Sequence, residues 1–235
     1  MTGSDSIRVG DPPARPPDVD TGEAPSSIPV VHALLLVNIG VFVLWSLPAI
    51  PRPLLADNLL VSWNLLMEGR IWVLLTSVFS HNLLFHLLIN VIVLLSFGGP
   101  MEEIMGSRRF LKFFLVAGLV ASVAHAATSR LLLGQPGLRA LGASGALAGV
   151  LMLFSFTFPR AKVLLFFIVP VPAILAALAF IAIDVWGLIA QMGGGTLPIG
   201  HGAHLGGGLV GIVYHLTVRD ELRRDRDGAG LARPG

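Results

Sequence analysis

The sequence predicts an all-α, polytopic membrane protein built on six transmembrane helices, and three observations carry that expectation. Charged residues make up 13% of the 235 residues and hydrophobic residues 54%, whereas a soluble domain carries about 25% charged residues. The mean hydropathy is +0.79. The apolar residues also fall in long charge-free blocks, which suits a lipid solvent rather than a polar surface. There is no cysteine, which removes disulfides, thiolate metal sites and a cysteine nucleophile together. The net charge of +2 is scattered over short segments, so it speaks to membrane orientation rather than to a nucleic-acid partner.

Residues 1–28 are polar, rich in proline and acid, and lack the apolar core of a cleavable signal. They are predicted to form a disordered tail, because they offer too little apolar surface to offset the entropy of ordering. Charge-free runs then cover 24–51, 71–101, 113–129, 140–159, 163–183 and 185–218. A spanning helix needs about 20 apolar residues, which places spans at roughly 30–48, 76–97, 110–128, 142–158, 163–185 and 199–218. Pro170 and Pro172 are expected to kink or locally unwind the fifth span. Residues 29–218 form the membrane domain, followed by a basic tail at 219–235.

Orientation follows the basic residues. An even number of spans puts both termini on one side, with Arg8, Arg15, Arg108, Arg109, Lys112, Arg160, Lys162, Arg219, Arg223, Arg224, Arg226 and Arg233. The other side holds only Arg52, Arg70, Arg130 and Arg139. This bias predicts cytoplasmic termini in a plasma (cell inner) membrane, with the loops at 49–70 and 187–198 facing outward.

Polar side chains inside spans are costly and point to function. Span two holds His81, His86 and Asn90, span three His125, span four Ser144, span five Asp184, and span six His204 with His201 at its mouth. Any one of these alone reads most simply as a helix-to-helix hydrogen bond. Depth separates two of them. Ser144 and His204 each lie about four residues below the outer ends of their spans, so at about 1.5 Å per residue they sit at matching heights. A serine and a histidine at one depth can form a nucleophile and its general base. Gly145/Gly149 and Gly207/Gly211 are small-xxx-small pairs that let these two helices approach closely.

Acyl transfer also needs donors for a developing oxyanion. His86 and Asn90 are spaced i, i+4 on one helix face, and the Ser144 backbone amide adds a third. His81 lies five residues before His86, about 140° around a helix, and is assigned a structural role. His125 and His32 are read as packing or interfacial residues. Asp184, at the outer end of span five, is the one acid within a span. It could orient the base, but a two-residue Ser–His dyad fits the spacing better.

These motifs together resemble the rhomboid family of intramembrane serine proteases, over about residues 30–218. The resemblance rests on Gly142-Ala143-Ser144-Gly145, on Ala203-His204-Leu205-Gly206-Gly207, and on His86-Leu87-Leu88-Ile89-Asn90 with His81 five positions earlier. It rests also on Gly98-Gly99-Pro100-Met101-Glu102, followed by Gly106-Ser107. It implies Ser144 as nucleophile, His204 as base, and His86, Asn90 and the Ser144 amide as oxyanion donors. It implies further a single-span membrane protein as substrate, cut near the outer end of its helix within the bilayer, and neither cofactor nor metal.

Two positions depart from the family pattern. Arg70 precedes Ile71-Trp72 where the family often has a Trp-Arg pair, and Ala148 stands where a tyrosine can pack on the catalytic histidine. The imidazole then needs another wall. Competing readings are an inactive rhomboid-like protein that binds transmembrane helices, and a transporter using its histidines as a proton relay. The second is disfavoured by the lack of an obvious internal repeat and by a single intramembrane acid.

Overall fold

The computed structural model describes residues 28–165, 168–195 and 199–228. The predicted N-terminal tail, except Ile28, and the last seven residues of the predicted basic tail lie outside them. The protein is an all-α bundle of the multi-span type, with one small β-hairpin. Helix α1 (Pro29–Ser46) leads into three short helices, α2 (Arg52–Leu59), α3 (Trp63–Met67) and α4 (Val73–Thr76). Helix α5 (Leu84–Val93) continues through a π turn, Leu94–Gly98, into α6 (Gly99–Met105). Then come α7 (Ser107–Leu131), α8 (Ser144–Thr157), α9 (Ala173–Met192) and α10 (His201–Gly228).

Among the described residues, Pro29–Ser46, Leu84–Met105, Ser107–Leu131 and Ala173–Met192 are long and apolar enough to cross a bilayer. The six expected spans are therefore not all reached by length and composition. With 14 residues, α8 is about 21 Å long, short of the roughly 30 Å hydrocarbon layer. Helix α10 is long, but its histidines and glycines dilute its apolar character.

Two spans begin later than the sequence suggested. The second starts at Leu84 rather than 76, because Ser80, His81 and Asn82 form a polar turn after a 3-10 segment at Ser77–Phe79. In that turn the Ser80 hydroxyl accepts the Trp45 indole N–H at 2.8 Å. The fifth span, expected over 163–185, is displaced by about ten residues. Strands β1 (Lys162–Leu165) and β2 (Val169–Pro172) pair antiparallel in register Lys162↔Pro172 to Leu165↔Val169. Proline lacks an N–H and disfavours the helical region for its predecessor. Pro170 and Pro172 thus hold Val169 and Val171 extended instead of kinking a helix, and α9 starts directly after Pro172.

The core lies between α1, the α5–α6 unit, α7 and α8, around Val31, Leu94, Met101, Phe110, Phe114, Val150 and Leu153. At one edge of it, Glu102 accepts the Val30 and Val31 N–H groups at 2.9 and 2.7 Å and the Ser107 hydroxyl at 2.6 Å. The first amides of a helix lack intrahelical acceptors and carry the positive dipole end. One buried carboxylate therefore caps α1 and ties it to the α6–α7 turn.

Candidate active site

Ser144 is the first residue of α8, and the loop before it is fastened strand by strand. Ala140 and Val61 exchange backbone hydrogen bonds at 2.9 Å, and the Gly142 N–H donates to the Ser77 carbonyl at 2.8 Å. The Ala143 N–H reaches His81 Nε2 at 3.5 Å. Burial first, and then the adjacent His86 ring, push the His81 imidazole down to about 4, which keeps a neutral nitrogen available as acceptor. Gly142 has φ +114°, and a Cβ there would stand 2.6 Å from His86 Cε1. Only glycine lets the chain turn here with His86 against it.

Helices α8 and α10 meet along their glycines. A Cβ on Gly207 would fall on the Gly145 carbonyl, one on Gly211 on the Gly149 carbonyl, and one on Gly149 at 2.8 Å from the Gly207 carbonyl. The expected small-xxx-small contact is thus a backbone-to-backbone seam. It brings Ser144 Oγ to 2.9 Å from His204 Nε2.

The structure adds an acid to this pair. Asp184 Oδ1 lies 2.9 Å from His204 Nδ1 and 2.6 Å from His201 Nδ1. Asp184 sits eight residues before the end of α9, not at a helix end, because the prolines shift that helix. The carboxylate accepts an N–H from His204 Nδ1, so the Nε2 lone pair faces the serine hydroxyl. That tautomer is the one a general base needs. The wall that Ala148 does not supply is Phe180, whose ring centroid is 5.4 Å from that of His204. Phe180 precedes Asp184 by four residues, one helical turn on the same face, a spacing visible in the sequence. A cavity of about 140 Å³ opens beside this ring, with Met152, Ile181, Gly208 and Ile212 among its lining.

Other predicted residues are placed as follows. His86 rests against Gly142, next to the serine turn. Asn90 is buried and donates one amide hydrogen to the His86 carbonyl at 2.7 Å, leaving its second N–H. His81 lies ahead of α5 rather than on it, so the helical angle that separated it from His86 does not apply. The two rings meet edge-on at 4.9 Å, and His81 braces the serine loop. His125 binds the Leu138 carbonyl through Nε2 at 3.0 Å, a structural contact, and His32 is exposed on α1. The loop before α5 is anchored without a Trp-Arg pair. Arg139 meets Asp57 at 2.6 Å, Arg70 bonds the Asp57 carbonyl at 3.3 Å, and the Trp72 indole donates to Asn58 at 3.2 Å.

Asp184, His201 and His204 place their nearest ligand atoms within 4.8 Å of one another, the types and spacing of a metal site. Here both facing nitrogens instead donate to the carboxylate.

Fold and site define a class, a multi-helix membrane-type protein with a serine–histidine pair at a glycine seam. The rhomboid domain matches residues 68–221, and the chain belongs to the rhomboid family. It is 36% identical over 201 residues to Rhomboid protein 1, mitochondrial, of Saccharomyces cerevisiae, covering 84% of this chain and 55% of that protein. It is 34% identical over 205 residues to RHOMBOID-like protein 12, mitochondrial, of Arabidopsis thaliana, covering 81% and 58%. To the human Presenilin-associated rhomboid-like protein, mitochondrial, it is 32% identical over 201 residues, covering 82% and 48%. The chain spans about half the length of these curated relatives.

These relatives overturn the expected plasma-membrane location with cytoplasmic termini, since each is a mitochondrial protein by name. The physical reason is that basic loops mark the side that fails to translocate. They carry no information about which membrane that is.

Proposed function

We propose that the protein is an intramembrane serine endopeptidase that cleaves the transmembrane helices of single-span membrane proteins. The observation that carries this reading is the 2.9 Å contact between Ser144 Oγ and His204 Nε2 at the end of a short, buried helix. In this proposal α1, the α5–α6 unit and α7 to α10 make up six crossings of the lipid bilayer. The short α8 leaves its serine end below the membrane boundary, and water must reach Ser144 there to complete the reaction.

The chemistry follows from the atoms. As Oγ of Ser144 attacks the scissile carbonyl carbon, its proton passes to His204 Nε2. The carbonyl oxygen takes the negative charge beside the first amides of α8, which have no intrahelical acceptors and lie at the positive dipole end. The Ser144 N–H, with His86 and the second Asn90 N–H, forms the oxyanion site. His204 then returns the proton to the leaving amine, breaking the C–N bond and leaving an acyl ester. Water, deprotonated by the same nitrogen, hydrolyses that ester. A helical peptide must unwind to present its carbonyl, so small, helix-weakening residues at the cut lower the cost.

The test is labelling with a fluorophosphonate probe and mapping of the modified residue by mass spectrometry, together with cleavage of a reporter transmembrane peptide. Ser144 is the expected adduct, and Ser144→Ala or His204→Ala abolishes cleavage. Normal cutting by both variants would overturn the reading, whereas a chain that binds the peptide and never cuts it would be the rhomboid-like binding protein instead.

A further inference from the structure

One carboxylate oxygen serves two imidazoles, and the shorter bond, 2.6 Å, goes to His201 rather than to the base. His201 is 2% exposed. Its Nε2 has no partner among the described residues. Burying an unsatisfied nitrogen is unfavourable, and a leucine would fill similar space without that cost. The room for the ring is made by Gly187 on α9, where any Cβ would overlap the imidazole. Both observations say that the Nδ1–H is what the position provides.

Resting on the protease reading above, we propose that His201 is a positioning residue that orients Asp184 and, through it, the imidazole of His204. Its N–H fixes the carboxylate's orientation and takes up part of its charge. A carboxylate held by two imidazole N–H groups keeps one orientation, and the His204 Nε2 lone pair stays aimed at Ser144 Oγ. The titratable groups facing His204 are Asp184 from α9, Ser144 from α8 and His201 on its own helix, with His86 of α5 within electrostatic reach.

The experiment follows the rates of fluorophosphonate inactivation and of reporter-peptide cleavage in the full chain, in detergent. His201→Ala is expected to slow both about 10–100-fold, less than the 10²–10⁴ of a whole general base. Asparagine places Nδ2–H where the imidazole has Nδ1–H, so His201→Asn recovers most of the rate, which a merely space-filling role would not allow. In an Asp184→Asn background, His201→Ala costs nothing further, since the two act through one link. If alanine does not fold, His201→Leu against His201→Asn makes the same comparison with the space filled. An alanine or leucine variant with unaltered rate overturns this inference alone, as does asparagine losing as much as either. Failure of the unmodified protein to label at Ser144 would overturn the protease reading, and this inference with it.

Discussion

Two of the helices that meet α10 at the site, α8 and α9, do so in opposite ways. Eleven of the 14 residues of α8 are buried, and its glycines touch the α10 backbone directly. Of the 20 residues of α9 only Ala173, Ala177, Asp184 and Gly187 are buried, and Leu178, Ile183, Trp186 and Ile189 face outward. Backbone contact therefore sets the serine-to-histidine distance, which can change only if the seam opens. The carboxylate arrives on a helix held near the site by Asp184, by Gly187 against His201, and by the Phe180 ring. The difference separates what is rigid by construction from what is positioned by polar contact.

The largest effect should come from the pair itself. Ser144→Ala or His204→Ala is expected to lower kcat by about 10⁶-fold, as when a nucleophile or its base is removed from a serine protease, measured on the reporter peptide. The seam breaks next. Gly207→Leu should destabilise the fold by at least the roughly 1–3 kcal/mol of an overpacked core, because the clash is with a carbonyl that has no side chain to move aside. Leu178→Ala, on the outward face of α9, should stay within about 0.5 kcal/mol. Thermal unfolding in detergent compares the two directly, and equal losses would erase the distinction between the helices.

Asp184→Asn keeps the shape and loses the charge that selects the His204 tautomer. It should lower kcat about 10²–10⁴-fold with the fold intact. His86→Ala or Asn90→Ala, on the α5 side, should each lower kcat about 10²–10³-fold with little change in KM, the cost of one oxyanion donor. Smallest is Phe180→Ala, which removes the ring beside His204. About 2–10-fold is expected, the rate equivalent of one aromatic contact. A loss as large as that of Asp184→Asn would mean that packing, not charge, holds the imidazole.

Much of the bundle was legible in the sequence. Charge-free runs located α1, α7 and α8 within a few residues, and glycine spacing anticipated which helices touch. Ser144 and His204 were legible because each sits at the start of its helix, within a local motif. His81 was misplaced on a helix because Ser80-His81-Asn82 lies inside a charge-free run, and hydropathy does not register a turn closed by side-chain bonds. The contact of Asp184 with His204 is hidden in the sequence for a related reason. Its apparent place at a span end assumed a helix over 163–185, while Pro170 and Pro172 turn that stretch into a hairpin. Phe180 escaped because its value to His204 depends on a partner twenty-four residues away.

By itself, the sequence determined the all-α class, the apolar blocks, the glycine faces and the serine and histidine that they carry. These are properties of composition and of spacing within one helix, which a 3.6-residue period makes readable. Only the tertiary structure decided that one aspartate oxygen would receive two histidines, that a phenylalanine would stand against the His204 ring, and that His81 would brace the Ser144 loop. Each depends on where a helix begins and on how close two backbones come. Neither is encoded in any single stretch of chain.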